Sequence, residues 1–393
     1  MMALAGLDTT RLRKLSACWL AWVMYMPVLI LVGCSPANQA KALWQDYENR
    51  LANVLQAHLS APTANTDNAN VVAPLDYAQT IFSQPKRSEW HGGISSDGDS
   101  PDNVAKSISP NSIGLLDLAE LNHCRLGGLI ANHNSSLGKV SQPSNLLIYQ
   151  LEFIKAAPDC IKTLGDSELK AVLSAELALK KQTAARLFVW FLENEPVIRK
   201  RLFIGSASLG ASSGKAGLIE AEAAFNSLLK IQTLIAQGDF AAFNGEALGH
   251  ALNSLNQNEF SVRYMAGMKM NIQALQQLNS VLAPHPLMRC KPGHNPAKQQ
   301  ILLNVLNKFF IGKLQPYLGV YSEAQFRLEP TLTALFKSSA WQPQIDYYFG
   351  EDGAPLQLKT LIRRHIGIWQ TLQQSCALEI KPGSAGRQPG LSQ

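Results

Sequence analysis

The residue types that do acid–base, nucleophilic or metal chemistry fall in a few short stretches of this chain. Glu193 with Glu195, and Glu220 with Glu222, are carboxylates two residues apart. Glycoside hydrolysis needs two carboxyls flanking one bond. Residues i and i+2 of a helix point to different faces, so neither pair is a ready acid–base couple. Asp346, Glu351 and Asp352 lie in PQIDYYFGEDGAP, which reads as a loop. Its acids suit a sugar or a cation, while Tyr347, Tyr348 and Phe349 are expected to pack on the body. His285, Cys290 and His294 share the stretch HPLMRCKPGH. Zinc sites recruit paired ligands at tight spacing, and no second local pair follows here. His58, His250 and His365 sit in helical segments as packing or surface residues. The sequence has no HExxH, P-loop or dinucleotide fingerprint. These residues assign no catalytic group, no metal and no cofactor.

Cysteine says more. Arg11, Arg13 and Lys14 precede an uncharged run, Leu15 to Val32, which ends in Leu31-Val32-Gly33-Cys34. A basic start, an apolar run and small residues at its end make a secretory signal. Its last four residues resemble the bacterial lipobox, in which cleavage falls before a lipidated cysteine. Gly33 is then the last residue of a signal spanning 1–33, and Cys34 carries the lipid. The competing reading is a retained helix, because eighteen uncharged residues are just long enough to span a bilayer. Pro27 and the abrupt change to Ser35-Pro36-Ala37-Asn38 favour cleavage. Two or more acyl chains anchor stably, at about 0.8 kcal/mol per buried methylene. Ser35 follows the cysteine where an Asp would hold an enteric lipoprotein at the inner membrane, so the outer membrane is expected.

Cys18 leaves with the signal. Cys124, Cys160, Cys290 and Cys376 remain, an even number in an oxidising compartment. Three pairings are open, and four free buried thiols are the alternative. Nearest-neighbour pairing, Cys124–Cys160 and Cys290–Cys376, is the expected one. It closes a helical hairpin and clamps a loop to the last helix, each worth roughly 4 kcal/mol before strain.

The 393 residues are 46% hydrophobic and 16% charged, with a net charge of +6. That supplies a large core and excludes a wholly disordered chain. Signal removal takes three basic residues and one acidic residue away, leaving a weakly basic chain. Its densest basic pieces are Arg199-Lys200-Arg201 and Arg363-Arg364, too small for a nucleic-acid footprint.

Helical spacing dominates the rest. Leu43, Tyr47, Leu51, Leu55 and Leu59 recur at i+4, which predicts a helix over 41–59. Residues 34–60 are thus a lipidated tether and first helix. Residues 61–111 are rich in Asn, Asp, Ser and Pro and read as a flexible polar segment. Helices are expected at 113–132, 144–160, 166–194, 196–203, 218–237, 258–282, 296–315, 322–338 and 356–376. Ser144 and Asp166 are the expected caps of their helices. No period-two alternation or βαβ rhythm appears. The fold class is all-α, a multi-helix bundle of roughly eight to ten helices over 112–380, with a disordered tail at 381–393.

Particular residues raise a family. Leu115-Leu116-Asp117, Leu121-x-x-Cys124, Asn134-Ser135-Ser136-Leu137-Gly138-Lys139, Pro143-Ser144 and Tyr149-x-x-Glu152 resemble an uncharacterised family of proteobacterial lipoproteins, a domain of unknown function. The resemblance covers nearly all of the chain after the signal. The family has an arginine before the Asn-Ser pair, where this chain has His133. The resemblance implies location and a helical fold, and no activity. Read physically, NSSLGKV is a turn, with Asn134 and Gly138 suited to left-handed backbone. The functional expectation is a non-enzymatic envelope protein facing the periplasm, held by its N-terminal lipid, with a protein or peptidoglycan partner and no nucleic acid. A periplasmic hydrolase of an envelope polymer is the alternative.

Overall fold

The computed structural model describes residues 36–56, 115–135, 142–205, 207–212, 214–291 and 295–378. Gly33, Cys34, the 61–111 segment and the tail lie outside them. The fold is an all-α multi-helix bundle, with no strand among the described residues. None of the described helices is long and apolar enough to cross a membrane.

The first helix, α1 (Pro36–Leu55), starts several residues before the expected boundary. Its i, i+4 stripe is a core stripe: Ala40, Trp44, Tyr47, Leu51 and Leu55 are all buried in the main cluster. It packs along one long helical stretch and reaches α9 (Phe260–Leu282) and α13 (Ala354–Cys376) through side-chain hydrogen bonds. That stretch runs as α10 (Ala297–Val305), a π segment (Leu306–Leu314) and α11 (Gln315–Phe336). The sequence suggested two helices with a gap at 316–321. The chain instead continues through a wider turn, which brings Phe310 against Tyr47 with ring centroids 5.7 Å apart.

Hydrogen bonds lock α1 in place. Trp44 Nε1 donates to Asn271 Oδ1 at 2.8 Å. Tyr47 Oη meets His365 Nε2 at 2.9 Å, and Trp369 Nε1 donates to the same nitrogen at 3.0 Å. An indole can only donate, so His365 Nε2 is unprotonated and Nδ1–H donates to Asn279 Oδ1 at 2.8 Å. Asn279 Nδ2 then donates to the Leu361 carbonyl. At Gly267 any β-carbon would overlap the Tyr321 hydroxyl, so glycine lets α9 and α11 approach here.

A second, smaller core gathers Leu121, Leu126, Ile130, Phe153, Ala157, Cys160, Leu169 and Leu173. It is built by α2 (Leu115–Glu120), α3 (Arg125–Asn134), α4 (Pro143–Thr163) and α5 (Glu168–Asn194). The expected helix over 113–132 is broken at 121–124. Gly127 approaches the Leu121 carbonyl too closely for a side chain, and that turn lets α3 double back. Two capping expectations are corrected. Ser167 Oγ caps α5 by accepting from Lys170 N, while Asp166 pairs with the Lys170 ammonium. Pro143 begins α4 itself, and the buried Ser144 N–H donates to Glu195 Oε2 at 3.1 Å. The remaining helices are α6 (Pro196–Phe203), α7 (Leu218–Gln237), α8 (Gly245–Gln257) and α12 (Gln342–Phe349). Residues 342–349 are therefore helix where a loop was expected. Tyr348 and Phe349 are buried there, because a helix satisfies the backbone groups that burial would otherwise orphan.

Burial pushes the His365 pKa from 6.5 down to about 3. Between these values the unfolded chain binds a proton that the folded chain refuses. Stability is therefore full above pH 6.5 and falls as pH drops toward 3, by roughly 4–5 kcal/mol for this one group. Urea unfolding at stepped pH should show this slope, and His365→Gln should flatten it. An unchanged slope would mean that His365 is not held neutral.

Candidate functional site

The cysteines stand at disulfide-bonding distance in two pairs, Cys124 with Cys160 and Cys290 with Cys376. Cys124 occupies the turn before α3, and Cys160 is buried in α4. Cys290 follows a short 3₁₀ turn and reaches the last turn of α13, where its N–H donates to Ser375 Oγ. His123 lies with Cys124 and Cys160 within 4.8 Å, but sulfurs spent in a disulfide offer no thiolate. His285 accepts from Leu287 N–H and caps the 3₁₀ turn, and Cys290 is paired. His294 lies outside the described residues.

Of the motif residues, Leu121, Cys124 and Tyr149 gather in the small core. His133, at the end of α3, stacks on Tyr149 with centroids 3.8 Å apart. Behind Tyr149 sits Lys180, its ammonium 5.5 Å from that ring and 4.9 Å from the Phe153 ring. Lys180 pairs with Glu176 at 2.8 Å, with side chains 1% and 4% exposed. Arg125 bonds Glu152 at 2.7 Å on the rim. Burial lowers the Lys180 pKa and Glu176 pulls it back up. Burial, then the Lys180 charge, lowers His133, while burial raises Tyr149. A lysine nucleophile needs access to substrate, and this one is sealed by aromatic rings. The cluster pins α3, α4 and α5 together. Asn134 ends α3 in helical backbone and Ser135 is extended, so Asn134 is not the left-handed turn residue expected. Residues 136–141 of that motif lie outside the described residues.

The sequence-selected acids separate as their spacing required. Glu193 Oε1 accepts from Ala340 N–H, and Glu195 from Ser144 N–H. Glu222 pairs with Arg327, whereas Glu220 faces a cleft. Glu351 approaches Glu329, whose pKa is raised by burial and then by the Glu351 charge. Sequence reading missed this pair because its members are far apart in the chain. His365 is a core residue and His250 is exposed; His58 lies outside the described residues.

The cleft measures about 490 Å³. Leu209, Gly210 and Gly217 form one wall, and Ser254, Gln257, Asn258 and Arg263 form another. Asn258 builds the corner: Nδ2 donates to the Gly217 carbonyl at 2.6 Å and Oδ1 accepts from Phe260 N–H at 2.8 Å. Gly217 has φ +86°, and a β-carbon there would stand 2.9 Å from Asn258 Oδ1, so both conformation and space demand glycine. Glu259 accepts from Arg263 Nε and from Arg201, each at 3.0 Å, and these arginines hold its carboxyl below the usual range. The described lining has amides, a hydroxyl, the Glu220 carboxylate and the Glu259–Arg263 ion pair, with no histidine or cysteine. Such a surface exchanges hydrogen bonds with a polar ligand.

A family model described as a protein of unknown function (DUF3080) matches residues 100–380. No curated protein and no solved structure matches the chain. Helix α1 lies outside the matched stretch and still packs into the main core.

The buried Lys180–Glu176 pair generates a stability prediction. Lys180→Met alone should cost about 3–5 kcal/mol, because it strands a buried carboxylate. The double change Glu176→Leu, Lys180→Met should recover most of that loss. Urea midpoints of single and double variants decide it, and additive losses would contradict the pairing. Non-reducing peptide mapping should likewise return the Cys124–Cys160 and Cys290–Cys376 peptides, and four free thiols would overturn both bonds.

Proposed function

This chain belongs to the DUF3080 family, and we propose that it is a lipid-anchored protein of the bacterial envelope that acts by binding. The observation that carries binding is the cleft, lined by Gln257, Asn258, Ser254 and a charge-compensated Arg263. This chemistry suits the hydroxyls and amides of a glycan or muropeptide better than a polyanion. Anchoring is supported by Leu31-Val32-Gly33-Cys34 after a basic start, and export by two cysteine pairs at bonding distance. Ser35 favours the outer membrane, with the bundle on the periplasmic side.

One observation favours a hydrolase as the second reading. Burial, and then the nearby Glu351 charge, raise the Glu329 pKa, which keeps a proton on Glu329 to higher pH. A general acid needs that property, although nothing else beside the pair positions a substrate.

Cys34→Ala should abolish labelling by radioactive fatty acid and leave a slower-migrating precursor. Normal processing of that variant would contradict the anchor. The mature protein should bind soluble peptidoglycan fragments in calorimetry, and Gln257→Ala should weaken binding about tenfold, the worth of one or two hydrogen bonds. Turnover of such fragments that is lost in Glu351→Gln would replace binding with hydrolysis.

A further inference from the structure

The two most exposed large apolar side chains among the described residues are Phe326, 80% exposed, and Ile219, 64% exposed. They fall on neighbouring helices. Glu222, one turn from Ile219 on α7, bonds Arg327 on α11 at 2.7 Å. Lys215, just before α7, pairs with Glu323, one turn from Phe326. Along the chain, Ile219 lies between Lys215 and Glu222, and Phe326 between Glu323 and Arg327, the partners of two ion pairs that link this region to α11. The charges of these two ion pairs compensate each other.

This face adjoins the start of α1. Gln39 Oε1 accepts from Ser212 Oγ at 3.1 Å, and Lys215 is three residues further along the chain, at most about 11 Å away. Cys34 precedes Pro36, the first residue of α1, by two positions. Covalent geometry therefore keeps Cys34 within about 12 Å of Gln39. Because Ala40, Trp44 and Tyr47 fix α1 in the core, no hinge inside the described fold lets the bundle swing away from that point.

We infer that Ile219 and Phe326 rest in the headgroup region of the bilayer, so that the anchored protein lies on its membrane by the α7–α11 face. The inference rests on the lipid-anchor reading and adds which face the anchor turns toward the bilayer. Isolated exposed apolar residues are ordinary on a protein surface. Here the two most exposed ones lie on the helices that the Gln39–Ser212 bond and the Lys215–Glu323 pair connect to the start of α1.

The test uses the full lipidated chain purified from membranes, with its disulfides intact. Phe326→Cys, Ile219→Cys and, as a control on the small core, Lys162→Cys each receive a bimane label. The proteins are reconstituted in phosphatidylethanolamine–phosphatidylglycerol vesicles carrying a doxyl-lipid quencher. Most of the emission at positions 326 and 219 should be lost, and little at 162. Mass spectrometry of the N-terminal peptide is read on the same samples. A lipidated Cys34 with unquenched 326 and 219 overturns the membrane face and leaves the anchor standing. An unmodified Cys34 removes the anchor and this face with it.

Discussion

The neutral imidazole of His365 is the point on which this arrangement depends. Tyr47 and Trp369 both approach its Nε2, and Asn279 takes the proton on Nδ1. Three elements meet there: α1, α9 and α13. A buried polar group is tolerated only when its hydrogen bonds are made, and each of these is supplied by a different helix. The network therefore specifies one seating for α1 where an all-apolar stripe would allow neighbouring registers. Trp44 on Asn271 fixes the same helix one turn earlier. The π segment completes the seat by turning Phe309 and Phe310 toward α1, with Arg50 over the Phe309 ring.

Helix α5 carries that order across the molecule. Leu169 and Leu173 lie in the small core, while Ala184, Leu187, Phe188, Phe191 and Leu192 lie in the main one. Between them sit Glu176 and Lys180, a buried pair whose desolvation is offset by their own hydrogen bond and by the ring faces that Tyr149 and Phe153 present to the ammonium. The Cys124–Cys160 pair closes the same core from the other side. The cleft lies away from these rigid points, where α7, α8 and α9 meet the non-helical segment around Leu209.

Helix ends were legible where backbone chemistry dictates them. Gly217 and Gly238 adopt positive φ at the two ends of α7, and the expected 218–237 span matches. Pro196 does the same for α6. The pairing of cysteines followed chain order. What stayed hidden depends on tertiary contact. Helix α8 has Leu248, Ala251, Leu252 and Leu255 at helical spacing, yet polar neighbours masked it. The break at 121–124 needs the Gly127–Leu121 approach, which no local pattern announces. Glu176 and Lys180 have the i,i+4 spacing common to exposed ion pairs, and only the aromatic rings of α4 bury them. The cleft draws on residues from 209 to 263, whose proximity only the packing of three helices creates.

The central claim is that the helix beside the proposed anchor is an integral part of the core. Native-state hydrogen exchange of α1 tests it most directly. If the claim holds, the amides of residues 44–51 exchange only through global unfolding, with the same free energy as the centre of α9. Exchange of those amides by local opening, orders of magnitude faster than α9, would contradict it and make α1 a detachable tether.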